Sequence, residues 1–318
     1  MKRLIVVYNP RSSRFIDVQN EVLSKVRQLK GYMIGKYEVA PTDVDDNAKK
    51  FSKILKDGDT VISAGGDATA SISANGILQS GKDVRLAVLP YGNFNDLART
   101  LGVMKYEDLF NQNGEIANLE DYDKEEADRN RPGRLYPLEI IVDGKFFRYA
   151  TCYVTIGMTA EAVELFDAPK TRKKLQKGHK SSWRSYLYLM SWYFKHHHKK
   201  RFIPNFKLNG VLQSKNISDY AAVSGRSMCR IMKGGYDYRI PKVFRSTTDH
   251  LVSFWRLVKL MIKSVTIRTP GTETEGDVLE FLKPATVELQ AEGEYRIFKD
   301  IKKIEIRKSK KCLKTIER

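Results

Sequence analysis

The chain of 318 residues is long enough for two domains, and its hydrophobic content of 42% can supply a core for each. No apolar run approaches the ~18 residues that a membrane-spanning helix needs, so we expect a cytoplasmic protein that meets the inner face of the membrane only peripherally. The net charge of +18 is uneven, because residues 1–135 carry 20 basic and 20 acidic residues, whereas residues 136–318 carry 36 and 18. This asymmetry indicates an anionic partner for the second half, either a membrane surface or nucleic acid.

In its first part the sequence alternates predicted strands with predicted helices. Strands are predicted at 3–8, 32–39, 60–62 and 86–89, and helices at 15–30, from Asp43 or Asp45 to Leu55, and after each of the last two strands. This alternation predicts an α/β domain with an open, mainly parallel sheet and helices on both faces. A polar stretch at 111–133 ends in a Pro-Gly pair, which is typical of a linker, so we end this domain at residue 133.

The pattern changes to short strands from Leu135 onward. A hairpin with an Asp143-Gly144 turn is predicted over 138–149, and further strands at 153–156, 206–212, 219–224, 264–269, 285–290 and 302–307. We therefore expect a mainly antiparallel second domain over 134–300. The basic segment 301–318 either binds phospholipid or packs back on the first domain. An exposed sheet edge in the second domain could pair two chains into a homodimer.

Two helices are predicted between these strands. The first, at 181–198, has an aromatic stripe and lies in the segment 170–201, which holds 11 basic and no acidic residues. Such a segment suits an anionic membrane surface, although its aromatic stripe can equally pack on the second domain. The second helix, at 251–262, has apolar residues at helical spacing and is predicted to pack against the protein. Three adjacent histidines, 196–198, point about 100° apart on a helix and are not expected to hold a metal.

Two glycine-containing turns follow neighbouring predicted strands, and the rest of the chain is organised around them. The first is Gly65-Gly66-Asp67-Ala68-Thr69, and the second runs from Pro90 to Asp96. Turns at the carboxyl ends of adjacent parallel strands form a ligand crevice, and the helices that follow them offer free N–H groups to an anion. The spacing matches neither a Walker A loop nor the GxGxxG dinucleotide fingerprint.

These motifs resemble those of the diacylglycerol kinase catalytic domain superfamily, which includes bacterial lipid kinases and sphingosine kinases. The first turn resembles GGDGT, and residues 89–99 resemble LPxGTGNDFAR. Residues 9–13 resemble NPxSG and residues 290–294 resemble QxDGE, while Gly234-Gly235, Pro241 and Asp249 resemble a GGG…P…DG stretch. The order of the motifs is that of the family, and they span nearly the whole chain.

The resemblance implies a nucleotide-binding α/β domain, a β-sandwich substrate domain and ATP- and Mg²⁺-dependent phosphorylation of a membrane lipid in the cleft between them. Glu292 takes the position of the family's catalytic aspartate and is the candidate general base, together with Asp67 as the second catalytic residue. Asp67 is also the candidate Mg²⁺ ligand, and Asp249 is expected near an accessory Mg²⁺ site. Asp96 either contacts the ligand or makes a cap or interdomain hydrogen bond. The predicted nucleotide-binding residues are Asn9, Ser12, Gly65, Gly66, Asp67, Ala68, Thr69, Gly92, Asn93 and Asn95.

The sequence departs from the family pattern at several of these positions. Ala68, Asn93 and Phe94 replace residues of the two turns, and Glu292 replaces an aspartate. These departures leave open a non-catalytic scaffold that binds lipid or nucleotide. A soluble-substrate kinase similar to NAD kinase, which shares GGDGT, is a further alternative. Nucleic-acid binding is the least favoured of the four functions.

Overall fold

The strands of the first sheet coincide with the buried apolar runs of the sequence. A computed structural model of the chain describes residues 2–92, 94–110, 115–116, 133–168, 171, 188, 191–196, 203–214, 216–228, 232–234, 242–249, 254–267 and 269–317. The first sheet contains β1 (Lys2–Tyr8), β2 (Tyr32–Glu38), β3 (Thr60–Gly65), β4 (Arg85–Pro90), β5 (Arg134–Leu135) and, from the end of the chain, β18 (Leu313–Thr315). Its order is β2-β1-β3-β4-β18-β5, and only the pairing of β18 with β5 is antiparallel.

The helices of this part are α1 (Phe15–Val18), which continues through a π-helical turn (Gln19–Leu23) into α2 (Ser24–Val26), α3 (Val44–Ser52), α4 (Asp67–Ser80) and α5 (Asp96–Thr100). Successive residues of a strand point to opposite faces of the sheet. Ile5 of β1 accordingly shares a buried cluster with Phe51 of α3 and Ile72 of α4. Its neighbour Leu4 belongs to another cluster, with Val22. The predicted parallel sheet with helices on both faces is therefore confirmed.

The second part is built from antiparallel strands. They are β6 (Leu138–Val142), β7 (Lys145–Ala150), β8 (Tyr153–Gly157), β9 (Phe206–Leu208), β10 (Val211–Leu212), β11 (Ile217–Val223), β14 (Val243–Asp249), β15 (Thr272–Thr274), β16 (Gly276–Ala291) and β17 (Glu294–Lys308). These ten strands form one sheet of order β15-β14-β11-β8-β16-β17-β6-β7, in which β9 pairs with β16 and β10 with β9. The strands β12 (Ser227–Met228) and β13 (Met232–Lys233) form a separate ribbon.

The long strand β16 lets one sheet enclose a core. Its register with β17 shifts between Glu280 and Ala285, and such irregularities bend a strand. Leu279 at one end of β16 pairs with β9, whereas Leu289 at the other end pairs with β8. Both leucines belong to a single buried cluster that includes Phe206. The expected combination of an α/β part with an antiparallel, sheet-rich part is confirmed.

The structure also corrects the sequence-based prediction of local elements. Residues 264–266 form the last turn of helix α7 (Phe254–Thr266) and not the predicted strand, although Val265 and Ile267 favour strands. The helix α6 (Met158–Asp167) lies between β8 and β9. The predicted boundary at residue 300 falls inside β17, which continues to Lys308. The domain limits stay predictions, and the basic segment 170–201 lies largely outside the described residues.

The described residues include no helix with both the length and the apolar character needed to cross a bilayer. The predicted hairpin turn at Asp143-Gly144 is present, with positive φ at both residues. Cys152 and Cys312 are free thiols, and Cys229 lies outside the described residues.

Candidate functional site

The two glycine-containing turns lie against each other where β3 and β4 end. Gly65 of β3 pairs with Pro90 of β4, so the turns leave the sheet side by side. A Cβ atom at Gly92 would lie 2.2 Å from the Cα atom of Gly66, and a Cβ atom at Gly66 would lie 3.1 Å from the Cα atom of Gly92. Because no real Cβ atom tolerates the shorter distance, Gly92 is required by the contact between the backbones of the two turns.

Asp67 joins the two turns through its carboxylate. Helix α4 begins at Asp67, but no side chain caps that helix. The carboxylate instead accepts hydrogen bonds from the backbone N–H groups of Asn95, at 3.0 Å, and Asp96, at 2.7 Å. Asp67 therefore caps helix α5 of the neighbouring turn and not its own helix.

The second turn is shaped by Asn95, which the sequence predicted to bind nucleotide. Its backbone is left-handed, with a φ of 56°. Its side-chain oxygen accepts from the N–H group of Gly92 and its amide nitrogen donates to the carbonyl of Gly92, both at 2.8 Å. Asn95 thus holds the turn in shape, while the predicted ligand Asn93 lies outside the described residues. Ala68 lies in the first turn of α4, where its backbone is helical, so its methyl group causes no strain.

A cavity of about 250 Å³ opens beside the first turn of α4. The first N–H groups of a helix have no partner within the helix and form the positive end of its dipole, so this end of the cavity suits an anion. Its lining residues are Asn9, Arg11, Val39, Thr42, Asp43, Val44, Ala68, Thr69, Ile72 and Glu294. Of the predicted nucleotide-binding residues, the cavity is lined by Asn9, Ala68 and Thr69, but not by Ser12, Gly65, Gly66 or Gly92.

The sequence did not single out Arg11, the 39–44 loop or Glu294 as cavity residues. Arg11 is held in place because its guanidinium donates to the carbonyl of Ala40 at 3.0 Å, and its N–H group donates to the side chain of Asn9 at 3.0 Å. The loop follows β2, whose carboxyl end lies at the same sheet edge as those of β3 and β4. The predicted parallel order of the strands could therefore have placed this loop at the cavity, although the loop carries no sequence motif.

Glu292 is buried at the turn between β16 and β17, with only 6% of its surface exposed. One carboxylate oxygen accepts hydrogen bonds from the N–H group of Thr151 at 2.5 Å, the N–H group of Cys152 at 2.6 Å and the hydroxyl of Thr151. Burial raises the pKa of Glu292 above its ordinary value, against the opposing effect of these donors. Glu292 is therefore not an exposed turn carboxylate but part of an ordered interior site.

Side chains from both halves of the chain contact each other at this site. Burial, and then the charge of Asp96, raises the pKa of Asp67 to about 7, and the charge of Glu292 contributes in the same direction. Asp96 is itself buried and accepts a hydrogen bond from the hydroxyl of Ser227, at 2.6 Å, across the two parts of the chain. Of the roles considered for Asp96, the structure thus contains the interdomain hydrogen bond.

The residues that the structure describes contain no group of three His, Cys, Asp or Glu side chains able to hold a metal ion. Asp249 pairs with Ile217 at the start of β11. The contact of Ser227 with Asp96 lies beyond the opposite end of β11, at Val223. Six residues of strand separate these ends, which amounts to about 20 Å. Asp249 and Asp67 therefore do not form one site, and an accessory metal site near Asp249 stays a prediction.

Arg148 is a buried cation in this region that the sequence motifs did not reveal. Only 1% of its surface is exposed, and its guanidinium donates to the hydroxyl of Ser71 in α4 at 2.7 Å. A second contact is the ion pair with Asp45 of α3 at 3.7 Å, while its Nε and Nη1 have no hydrogen-bond partner in the described part of the chain. The positive charge of Arg148 lowers the pKa of Glu292 and opposes the effect of burial. A lone arginine in a predicted strand was the only sequence signal.

Comparison with known proteins identifies relatives of the first part of the chain. The family model for the diacylglycerol kinase catalytic domain matches residues 3–121. The diacylglycerol kinase of Bacillus subtilis (strain 168) is 33% identical over 120 residues, which cover 37% of this chain and 39% of that protein. The diacylglycerol kinase of Staphylococcus epidermidis (strain RP62A) is 33% identical over 103 residues, or 31% of this chain and 32% of that protein. The matched segment therefore covers less than half the length of these relatives.

Solved structures resemble the chain over nearly its whole length. A crystal structure described as a diacylglycerol kinase from Bacillus anthracis str. Sterne aligns with a TM-score of 0.58 and 14% identity, covering 98% of this chain and 96% of that one. Another structure from the same organism aligns with a TM-score of 0.61 and 16% identity, covering 99% and 97%. At such low identity the likeness establishes the fold alone.

The contact between the turns predicts a large cost for Gly92→Ala. The added Cβ atom would meet the backbone of Gly66, which cannot move aside as a flexible side chain can, so we expect the free energy of unfolding to fall by about 3 kcal/mol. The control is Gly210→Ala, where φ is positive but nothing lies within 4 Å of the new atom, and about 1 kcal/mol is expected. Urea unfolding of both variants measures the difference, and equal losses would contradict the proposed backbone contact.

The raised pKa of Asp67 predicts a pH dependence of stability in metal-free protein. Between the ordinary value of 3.8 and about 7 the folded chain keeps a proton that the unfolded chain releases. The contribution of Asp67 is therefore fully present below pH 3.8 and is lost as the pH rises towards 7, at about 1 kcal/mol per pH unit. Urea unfolding from pH 4 to 8 should show a weaker decline in Asp67→Asn than in the wild type.

Asp219 supplies the matched control for that experiment. Burial also raises its pKa to about 7, and its carboxylate likewise accepts two hydrogen bonds, both from Thr159. Asp219→Asn should remove a similar part of the decline and leave the part due to Asp67, so the double variant should be the least pH-dependent. An Asp67→Asn variant with the full wild-type decline would show that Asp67 titrates near its ordinary pKa.

Burial of Arg148 predicts that its removal is costly. Arg148→Met leaves Asp45 and Glu292 without a buried cation, so the free energy of unfolding should fall by about 3–5 kcal/mol. The control is Arg296→Met. The Arg296 side chain is 35% exposed and forms ion pairs with Asp43 and, like Arg148, with Asp45, and its loss should cost less than about 1 kcal/mol. Thermal or urea unfolding separates the two, and a mild effect at Arg148 would contradict its role as a buried counter-charge.

Proposed function

We propose that this chain transfers the γ-phosphoryl group of ATP to a hydroxyl group of a diacylglycerol-like lipid, because residues 3–121 match the family model of the diacylglycerol kinase catalytic domain. The observation that carries the proposal is a chain of contacts between Glu292 and the helix that Asp67 caps. Glu292 accepts a hydrogen bond from the N–H group of Cys152, and the Sγ atom of Cys152 lies 3.6 Å from the hydroxyl of Thr100 in α5. Phosphoryl transfer needs positioned phosphates and a carboxylate near the attacking hydroxyl. The buried carboxylate of Glu292 and the open N-terminus of α4 support such a site.

The nucleotide phosphates would lie at the first turn of α4. Backbone N–H groups of Ala68 and Thr69 lie there, and the neighbouring cavity is lined by Asn9 and Arg11. The guanidinium of Arg11 adds a positive charge at the other side of the cavity. Gly66, Gly92 and Asn95 then serve to hold the two turns together, so that the helix terminus remains open to the nucleotide.

Magnesium fits the donor set only with help from the nucleotide. Each carboxylate oxygen of Asp67 accepts one hydrogen bond and keeps a second lone pair. Mg²⁺ is commonly held by one or two carboxylates together with phosphate oxygens and waters, so Asp67 would hold it jointly with bound ATP. The ion would supply charge neutralisation on the phosphates.

Glu292 would act as the general base. It would accept the proton of the lipid hydroxyl while the hydroxyl oxygen bonds to the γ-phosphorus and the bond from that phosphorus to the bridging oxygen breaks, which leaves ADP. Burial raises its pKa and so makes it a stronger base, and the bonds from Thr151 and Cys152 fix its orientation. The lipid hydroxyl would reach this carboxylate from the membrane surface.

One observation favours a second function, that of a scaffold that binds nucleotide or lipid without catalysis. One oxygen of Glu292 already accepts three hydrogen bonds, which is the arrangement of a structural carboxylate. Product formation separates the two functions, because both allow ATP binding. Label transfer from ATP to lipid in mixed anionic vesicles would establish the kinase, whereas ATP binding without transfer to any lipid hydroxyl would establish the scaffold.

The role of Glu292 predicts the effect of Glu292→Gln. Loss of the base should lower kcat by about 10²–10⁴-fold, while the affinity for ATP, measured by calorimetry, stays within a few-fold of the wild type. Glu280→Gln, at an exposed carboxylate on the same strand β16, is the matched control and should be silent. Near-normal turnover of Glu292→Gln would refute the assignment of Glu292 as the base.

A further inference from the structure

Helix α7 buries Ser264 and half-buries Leu260 and Met261, as its predicted packing against the protein requires, but it presents a second apolar stripe to solvent. The exposed fractions are 78% for Trp255, 58% for Ile262, 40% for Val265 and 66% for Ile267, just beyond the helix. Residues 255, 258, 262 and 265 are spaced by three or four and therefore follow one face of a helix. A soluble helix normally buries such a stripe, so this exposed stripe needs a surface to cover it.

The charges beside the stripe have a single sign. Arg256, Lys259 and Lys263 are exposed on the same helix, and residues 251–267 contain no Asp or Glu. Successive basic positions at spacings of three and four lie side by side along the helix, next to the apolar stripe. A protein partner would usually meet charges of both signs, whereas an anionic bilayer matches a stripe of tryptophan and isoleucine bordered only by cations.

We propose that α7 lies in the interface of an anionic lipid bilayer, with Trp255, Ile262 and Val265 among the acyl chains and its basic residues at the phosphate groups. This surface is distinct from the basic segment at 170–201. The purpose of such docking rests on the proposed lipid-kinase function, because the acceptor would then be delivered from the bilayer. The docking itself requires neither ATP nor catalysis.

The position of α7 links this surface to the site. Lys233 of β13 donates from its ammonium group to the carbonyl of Thr266, the last residue of α7, at 2.8 Å. The N–H group of Thr269 donates back to the carbonyl of Lys233 at 2.8 Å. β13 pairs with β12, where the hydroxyl of Ser227 donates to Asp96. A bilayer on α7 is thus separated from the carboxylates of the site by the two-stranded ribbon.

The first test uses the fluorescence of Trp255. The chain has three tryptophans, so Trp183→Phe and Trp192→Phe leave Trp255 as the sole reporter. Vesicles with 30% phosphatidylglycerol should shift its emission to the blue, and lipids brominated in the acyl chain should quench it, whereas pure phosphatidylcholine vesicles should do neither at physiological salt. Unchanged emission in vesicles that do sediment with the protein would overturn the proposal, because another surface would then be responsible.

The second test measures vesicle affinity by co-sedimentation. Each lysine near an anionic surface strengthens binding about five-fold, so Lys259→Gln with Lys263→Gln should weaken it about 25-fold. Trp255→Ser with Ile262→Ser should weaken it at least ten-fold, through lost apolar burial. The matched control is Val211→Ser with Leu212→Ser, which changes two exposed apolar residues of β10 and should be silent. Equal affinity of all variants, or self-association of the wild type through α7 without lipid, would refute bilayer docking.

A soluble short-chain diacylglycerol separates docking from catalysis. The α7 variants should phosphorylate it at the wild-type rate while losing activity on vesicles in proportion to their lost affinity. Weak binding of these variants together with an inactive wild type would support the docking surface and reject the kinase. Wild-type vesicle binding by these variants together with an active enzyme would support the kinase and reject the docking surface.

Discussion

The carboxylate of Asp67 is the interaction on which the arrangement of the site depends. Asp67 is the first residue of helix α4, but its carboxylate accepts hydrogen bonds from the N–H groups at the start of helix α5. One side chain therefore fixes the distance between the two helix termini. The glycine contact between Gly66 and Gly92 brings the turns close enough for those hydrogen bonds to form. The N-terminus of α5 is thereby occupied by a carboxylate, whereas the N-terminus of α4 stays open to an anion at this edge of the sheet.

Helix α4 transmits this arrangement to the second part of the chain. Residues 67, 71 and 75 lie one turn apart on the same face of the helix. Asn75 exchanges two hydrogen bonds with the backbone of Tyr149, and Ser71 accepts one from Arg148. These side chains of α4 thus satisfy backbone groups of the edge strand β7 that a neighbouring strand would otherwise pair. These bonds explain why polar side chains are buried in α4. They also fix the position of the antiparallel sheet relative to the two turns.

Much of this organisation could be predicted from the sequence, because it depends on local patterns. Buried strand runs and glycine turns gave the parallel sheet and the crevice, and the residue order around Glu292 suggested a carboxylate at the site. Arg148 could not be found in this way, because its meaning depends on which helix faces it after folding. The exposed face of α7 was also missed, since an apolar stripe has the same period whether protein or another surface covers it. At 264–269, β-branched residues suggested a strand, but the helix that precedes them continues to Thr266.

The carboxylates of Asp67 and Glu292 oppose folding, and the same electrostatic effect would favour the binding of a cation. Removing Asp67 and Glu292 from water raises the pKa of both groups, which means that their charged forms are destabilised where they lie. The positive charge of Arg148 lowers the pKa of Glu292, but the net shift of that pKa is still upward. A cation bound with a nucleotide at Asp67 would lower the remaining desolvation cost, so part of its binding free energy would come from that relief. Because any ligand that binds only the folded protein stabilises it, a cation at these carboxylates would raise the free energy of unfolding of both halves of the chain together.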